Sequence, residues 1–337
     1  MFTPPPDITD GALTTALAAD WGIEASALVY EPVGFGAHHW RATDQHGRRW
    51  FVTVHDLVAK RRNAEETSDE VFRRLTASFS AAAALAGAGL GFVLAPTPTM
   101  GGRAVARLDD RFSIAVHPHL DGHAAGDEGE FASDRERRAV LDLVVEVHRA
   151  TGAARPHADV DARAVPHLEE IDAALDALGS TWDAGPYGER ARTLLDEHAT
   201  ALRRLVTAYD GLHDQVAPLF ERAVLTHGEP HASNVLVTAD GLLLVDWDTA
   251  LLAPAERDLT VLDPGDGSML HAYASITGLT PSQPALDMYR LWFDLTEIGQ
   301  YLGELRAHHT GTADIAESWK NLQHYLRPAD RWPDLIG

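Results

Sequence analysis

The sequence contains no cysteine, which excludes a disulfide framework, a thiolate nucleophile and any cysteine-ligated metal site. Lysine is almost as scarce: Lys60 and Lys320 are the only two, while arginine is plentiful and alanine abundant, a compositional bias rather than a repeat. Residues 1–10 hold prolines and acids but no basic segment followed by an apolar run, so they do not read as a secretory leader. No apolar run is long enough to span a bilayer, even the alanine-rich 81–90. A cytoplasmic location is the resulting expectation. Positive charge is also in deficit, with 50 acidic side chains against 28 basic ones and a formal net charge of −22. A field of that sign repels nucleic acid and anionic membranes, so neither is an expected partner, and it concentrates cationic solutes. The same acidity also serves solubility. The oligomeric state is not legible.

What is present suits a large soluble fold. Hydrophobic residues make up 45% and charged residues 23% of 337 positions, and that length exceeds one compact core, so two lobes are expected. Helical spacing over 9–20 ends at Gly22, where a C-cap would fall. Strand-like runs follow at 27–33, 39–43 and 49–54, the first two joined through Gly34-Phe35-Gly36. Residues 67–86 carry Val71, Leu75 and Phe79 on one helical face. Short strands are expected at 92–95, 103–108 and 112–116, punctuated by prolines and glycines. The polar, glycine-bearing stretch 120–133 marks the expected lobe boundary, dividing the chain into 1–120 and 121–337. Beyond it, helices are expected at 134–149, 165–178, 187–208 or further with a break, 268–274, 286–307 and 312–325, with a β-rich island at 224–245. The fold class is therefore α+β: a small lobe of antiparallel sheet plus a helix, then a larger, mostly helical lobe.

The chemistry concentrates in Thr226-His227-Gly228-Glu229-Pro230-His231-Ala232-Ser233-Asn234, which runs through an Asp240-Gly241 turn into Val245-Asp246-Trp247-Asp248. Asp-Gly between two apolar runs is a strong hairpin signal, so Asn234 and Asp246 should lie at adjoining strand ends. Two oxygen ligands there suit a hard cation such as magnesium, which completes its shell with water and substrate phosphates. His227 and His231 do not make a zinc-protease motif, because Pro230 lies between them and helical context is lacking.

This segment resembles the catalytic loop and metal hairpin of the aminoglycoside phosphotransferase family, relatives of the protein kinases. The family pattern is His-Gly-Asp, four residues, Asn, then a hairpin ending in an Asp within an apolar-Asp-aromatic-acid context. The resemblance implies a protein-kinase-like two-lobe fold and an ATP- or GTP-dependent O-phosphotransferase. It places Glu229 at the general base and Asn234 and Asp246 at the Mg2+ positions. Asp258 resembles a downstream acid that braces the catalytic loop. On the nucleotide side, Gly34 and Gly36 take the place of the phosphate-covering turn, Thr53 the strand position of the phosphate-pairing lysine, and His119 lies in the 114–120 segment whose backbone would meet a purine edge.

Two positions depart from the pattern. Glu229 replaces aspartate, moving the carboxylate by about a bond length. Thr53 replaces lysine, so phosphate charge must be met otherwise; Lys60, Arg61 and Arg62 lie just past that strand, either leaning in or forming a solvated basic loop. Glu65, Glu66 and Glu70 precede or open the helix whose acid would pair with the missing lysine. For the acceptor, Glu169, Glu170, Asp172, Asp176 and Asp183 offer carboxylates or plain helix surface, and Asp294, Glu297 and Tyr301 recur at helical spacing near Trp292. The expected acceptor is a small cationic molecule, aminoglycoside-like or a basic peptide antibiotic. A metabolic small-alcohol kinase and a catalytically impaired nucleotide-binding module are the alternatives.

Overall fold

The computed structural model describes residues 1–127, 129–327 and 332. Residue 128 of the connecting stretch, and residues 328–331 and 333–337 of the second segment, lie outside the described residues. The chain opens with α1 (Asp10–Trp21), capped by the Thr9 side chain and ended by left-handed Gly22. Then follow β1 (Ala25–Glu31), β2 (His38–Asp44), β3 (Arg49–Asp56), α2 (Ser68–Gly87), β4 (Ala106–Arg107) and β5 (Phe112–Pro118). The five strands form one antiparallel sheet in the order β1-β2-β3-β5-β4. Alternation along β3 sends Val52 and Val54 toward the α1 side, where they join Leu13, Leu17, Trp40 and Ile114; Thr53 and His55 take the opposite face.

That opposite face is covered by α2, whose start is fixed by a reciprocal Thr67–Glu70 capping box. Its apolar stripe of Val71, Leu75, Phe79 and Leu85 belongs to the same buried cluster as Val140, Leu141, Leu225 and Trp247 from the later part of the chain. The sheet is thus joined to the remainder through a continuous apolar core. Phe79 lies at the junction, its ring 5.6 Å from His55 and 6.1 Å from His117.

The expected strand at 92–95 reduces to a single bridge, Val93 to Leu244, and that at 103–108 to the two residues of β4. Pro96, Pro98 and the Gly101-Gly102 turn interrupt the ladder there. The connection 120–133 is more ordered than its composition suggested. It carries β6 (His123–Ala124), β7 (Gly126–Asp127) and β8 (Glu130–Phe131), and β6 pairs with a later hairpin strand through Ala124 to Leu236 and His123 to Val237.

Next come α3 (Asp134–Arg149), α4 (Thr151–Ala154), α5 (Leu168–Asp176), α6 (Gly188–Val216), β9 (Val224–Thr226), β10 (Val235–Thr238), β11 (Gly241–Leu244), β12 (Leu251–Ala253), α7 (Glu256–Leu262), α8 (Ser268–Thr277), α9 (Gln283–Arg306) and α10 (Ala313–Tyr325). The helix expected over 187–208, or further with a break, runs on to Val216 without one despite Gly211. α9 is the axis of the helical part: Leu291, Leu295, Ile298, Leu302 and Leu305 are buried among α5, α6 and α10. No helix among the described residues is long and apolar enough to cross a membrane.

Phe79→Ala is expected to cost about 3–5 kcal/mol, the range for deleting a buried aromatic ring. The check is chemical denaturation, where the midpoint should fall without a change in slope.

Candidate active site

The short antiparallel pair β9–β12 ends at Thr226 and releases the loop 227–234, which returns as β10. Gly228 has φ +101°, and a Cβ there would stand 2.4 Å from the Arg257 guanidinium, so both conformation and space demand glycine. Two consecutive amides of the loop, those of His227 and Gly228, donate to the Asp258 carboxylate at 3.0 and 2.6 Å. The His148 ring bonds the same carboxylate at 3.0 Å, and Asp258 is fully buried. Burial alone would raise its carboxyl, but the His148 hydrogen bond and the nearby Arg257 guanidinium help outweigh it and hold the group below its ordinary range.

His227 is a structural element of this loop. Its Nε2 lies 2.8 Å from the Val245 carbonyl and its Nδ1 accepts the Glu229 amide at 3.3 Å, the pattern of one neutral tautomer. Burial lowers its pKa, in keeping with that form. The Asn234 amide nitrogen donates to the Glu229 carbonyl at 3.0 Å, which leaves Oδ1 as its lone-pair end. The hairpin closes with Val235 opposite Leu244, and the Val245 amide continues the ladder to the Asn234 carbonyl at 3.0 Å. Asn234 and Asp246 therefore stand at adjoining ends of one ribbon. Asp246 is in the left-handed region with φ 63°, a costly conformation for a side chain other than glycine and one that clusters at functional sites.

Three carboxylates crowd this place. Glu229 is raised by burial and by Asp248. Asp246 opens onto the cleft but is raised by the surrounding protein and by Asp248 and Glu229. Asp248 is held low, because Lys60 Nζ lies 2.7 Å from its Oδ2 and outweighs the burial that opposes ionisation. Lys60 acts on all three acids, with the Arg257 guanidinium also acting on Glu229 and that of Arg74 on Asp248. Among the described residues no cluster of three or more His, Asp or Glu is arranged to hold a metal by itself. An Asn oxygen and one uncompensated carboxylate are nevertheless a donor set that fits a hard divalent cation completed by phosphate oxygens.

Above the hairpin, Gly34 and Gly36 both have positive φ, +67° and +88°, and Phe35 between them leans on Tyr301 of α9, ring centroids 6.2 Å apart. The turn therefore spans the cleft. Thr53 is 6% exposed and its hydroxyl is engaged with His39 Nδ1 at 3.2 Å. The His119 amide is committed to the Arg49 carbonyl at 3.1 Å. Glu66 bonds Arg74 at 3.2 Å and the Arg62 amide at 2.6 Å, and Glu70 is the α2 cap, so neither meets Lys60.

On α9, among the carboxylates expected to meet the acceptor, Glu297 is hydrogen-bonded by the Tyr301 hydroxyl at 2.6 Å and stands within electrostatic reach of Glu229. Asp294 is buried and accepts from the Trp332 indole at 2.8 Å. Trp292 donates to the Ala164 carbonyl and stacks on Arg257, so packing accounts for it. Glu169 accepts the Ala64 amide and Glu170 pairs with Arg306, while Asp172, Asp176 and Asp183 face solvent. The residues that composition alone missed are Asp248, as the partner of Lys60, and Phe35, whose apolar character at the tip of a glycine turn was the available signal.

Residues 29–273 match the sequence profile of the phosphotransferase enzyme family, APH. The chain belongs to that family. It is an enzyme, a phosphotransferase with an alcohol group as acceptor. It is 30% identical over 250 residues to protein StrN of Streptomyces griseus, covering 72% of this chain and 74% of that protein. Among solved structures it resembles the spectinomycin phosphotransferase APH(9)-Ia in complex with ADP and spectinomycin, with TM-score 0.73, 17% identity and coverage of 96% and 98% of the two chains. It also resembles the amicoumacin kinase hAmiN in complex with AMP-PNP, Ca2+ and Ami, with TM-score 0.59, 11% identity and coverage of 96% and 94%. At these identities the likeness is one of fold, and it gives this phosphotransferase the protein-kinase-like α+β architecture.

Because Asp258 is depressed in the folded state, its contribution is fully present above about pH 4, the unfolded value, and is lost as pH falls through the folded one. Asp258→Ala is expected to destabilise the phosphotransferase by about 3–5 kcal/mol, the cost of removing one partner of a buried charged network. Urea denaturation at pH 7 and pH 3 checks both statements, since the gap between wild type and variant should narrow at the lower pH.

Proposed function

We propose that this phosphotransferase moves the terminal phosphoryl group of ATP or GTP to a hydroxyl of a small cationic molecule of the aminoglycoside or basic-peptide antibiotic kind. The nucleotide would lie between segments 1–120 and 121–337, beneath Gly34 and Gly36, with the backbone near His119 at its purine edge and Thr53 forming part of the wall. The observation that carries the reading is the set of three carboxylates, Glu229, Asp246 and Asp248, gathered at one hairpin end with a single ammonium among them. The family's own activity and the nucleotide-bound structures of similar fold support it.

Asn234 Oδ1 and the Asp246 carboxylate would hold magnesium, which when bound neutralises phosphate charge and bridges the donor to the protein. Glu229 orients the acceptor hydroxyl and takes its proton as the acceptor oxygen bonds to the terminal phosphorus. The bond from that phosphorus to the bridging oxygen breaks, and nucleoside diphosphate leaves. Burial and Asp248 increase the proton affinity of Glu229, which favours this role. The loop that carries Glu229 is held at both ends, by Asp258 and by Asn234, so the longer side chain would reach the hydroxyl from a fixed backbone.

Glu297 favours a charged acceptor. Burial pushes its carboxyl up to about 7, assisted by Glu229, Glu304 and Asp294 and opposed by the Tyr301 hydrogen bond. A cationic group beside it would offset that crowding.

The purified enzyme, given magnesium and γ-labelled ATP or GTP, is expected to label an aminoglycoside or a cationic peptide. Glu229→Gln should lower turnover by about two to four orders of magnitude, and Asp246→Ala should abolish transfer. Labelling of neutral small alcohols alone would overturn the acceptor class, and folded protein that binds no nucleotide would overturn the whole reading. KM for a cationic acceptor is expected to fall as pH rises from 6 to 8, because Glu297 ionises through that window, and Glu297→Gln should flatten this dependence in steady-state kinetics.

A further inference from the structure

The strand position expected to supply a phosphate-pairing lysine is Thr53, and its hydroxyl is already used by His39. The histidines on this face of the sheet bring no positive charge. Burial, with the nearby Lys60 acting on the first two, holds His39 and His55 down to about 3, and burial holds His117 down to about 4. Both ring nitrogens of His55 lack a hydrogen-bond partner although the side chain is 1% exposed. Donor phosphates beneath the glycine turn would face Glu229, Asp246 and Asp248 with no cation from the strand.

The ammonium in this space arrives from another position. Lys60 lies four residues past the end of β3, in a turn folded back by its own amide on the Asp56 carbonyl at 3.0 Å and by the Asp56 carboxylate, which accepts the Val58 and Ala59 amides at 2.9 and 3.1 Å. Its Nζ is 2.7 Å from Asp248 Oδ2 and 3.9 Å from where a Cβ on Gly36 would stand. It therefore sits between the glycine turn above and the hairpin carboxylates below. An ammonium has three donors, and Asp248 takes one. The loop behind it is anchored on both sides of the cleft. Arg74 donates to the Lys60 carbonyl at 2.7 Å, the His167 amide to the Arg62 carbonyl at 2.6 Å, and the Ala64 amide to Glu169 at 2.9 Å. An ion pair this enclosed adds little stability over an apolar pair of the same volume, so structural bracing alone accounts poorly for placing one of only two lysines here.

We propose that Lys60 is the phosphate-binding cation of this phosphotransferase, delivered from the turn after β3 in place of the strand lysine, with Asp248 as the partner that holds it ready beneath Gly36. The inference rests on the nucleotide reading above. It deepens that reading by naming the group that answers the phosphates.

Calorimetric titration of the full chain with ADP and with adenosine, magnesium present, tests it. Lys60→Met is expected to weaken ADP about ten- to a hundredfold, the worth of a charge-assisted hydrogen bond, and to leave adenosine unchanged. Adding Thr53→Lys to Lys60→Met should recover most of the ADP affinity by returning an ammonium to the strand. Unchanged ADP binding in Lys60→Met, or equal weakening of ADP and adenosine, would show that Lys60 only ties the two sides of the cleft together. Wild-type protein that binds neither ligand would instead remove the nucleotide reading itself. Where Lys60→Met does not fold, the wild type carries the test through amine acylation: ADP but not adenosine should protect Lys60, with the surface residue Lys320 reacting alike in all samples. Equal protection by ADP and adenosine, or none by either, would overturn the proposal.

Discussion

The candidate site depends on one buried carboxylate. Asp258 gathers two consecutive loop amides and an imidazole within hydrogen-bonding distance, and so fixes the start of the 227–234 loop. Two amides pointing the same way require the backbone to turn sharply between them, and Gly228 supplies that turn with Arg257 packed against its missing side chain. Arg257 in turn bonds Thr226 and the Thr249 carbonyl, so the strand before the loop and the segment after the hairpin share one clamp. Glu229 and Asn234 inherit their positions from this frame. An ion buried to this degree is costly unless fully partnered, which explains why its neighbours are as constrained as it is.

Charge is distributed across the cleft in a lopsided way. Burial has neutralised the histidines of the sheet face, whereas the hairpin side concentrates acids whose mutual repulsion and desolvation favour protonation. Such a cleft is poorly satisfied as it stands and gains from a divalent cation, a cationic acceptor, or both. The chain's overall charge of −22 acts in the same direction at longer range, where it raises the local concentration of cations but also repels a nucleotide. A lysine held inside the cleft resolves that conflict locally, because a short-range ion pair is much less screened than the distant field.

Much of this was legible in the chain. Helical periodicity located α1, α2, α3 and α9 to within a few residues, since each has a continuous apolar face, and the Asp240-Gly241 turn fixed the hairpin that aligns Asn234 with Asp246. Asp258 was recognisable by its resemblance to the family's downstream acid. The strands at 92–95 and 103–108 were overstated because apolar runs next to proline and glycine lack partners whatever their propensity. The reach of Lys60 across 188 positions to Asp248, the diversion of Glu66 to Arg74, and the contact of Phe35 with Tyr301 leave no periodic trace. They are decided by how the sheet is docked on the helices, and the sequence offers only the residue types.

That docking links the Lys60 turn to the helix that carries Glu297. The turn carrying Lys60 is continuous with residues 62–64, which are hydrogen-bonded to the start of α5, and α5 packs on α9, the helix that carries Glu297 and Tyr301. A strand lysine would be positioned by the sheet alone. A lysine on this loop is positioned by the sheet and by α5 and α9 together, so a shift of either helix displaces the ammonium as well as Glu297 and Tyr301. Phe35 makes the reciprocal connection, from the glycine turn onto Tyr301. Coupling of this kind requires differential contacts in two arrangements of the same elements, and the contacts that bear on the cleft itself are those of the 60–64 loop and the Phe35 tip, since both cross it, whereas α2 joins the sheet to the later chain through apolar packing behind it.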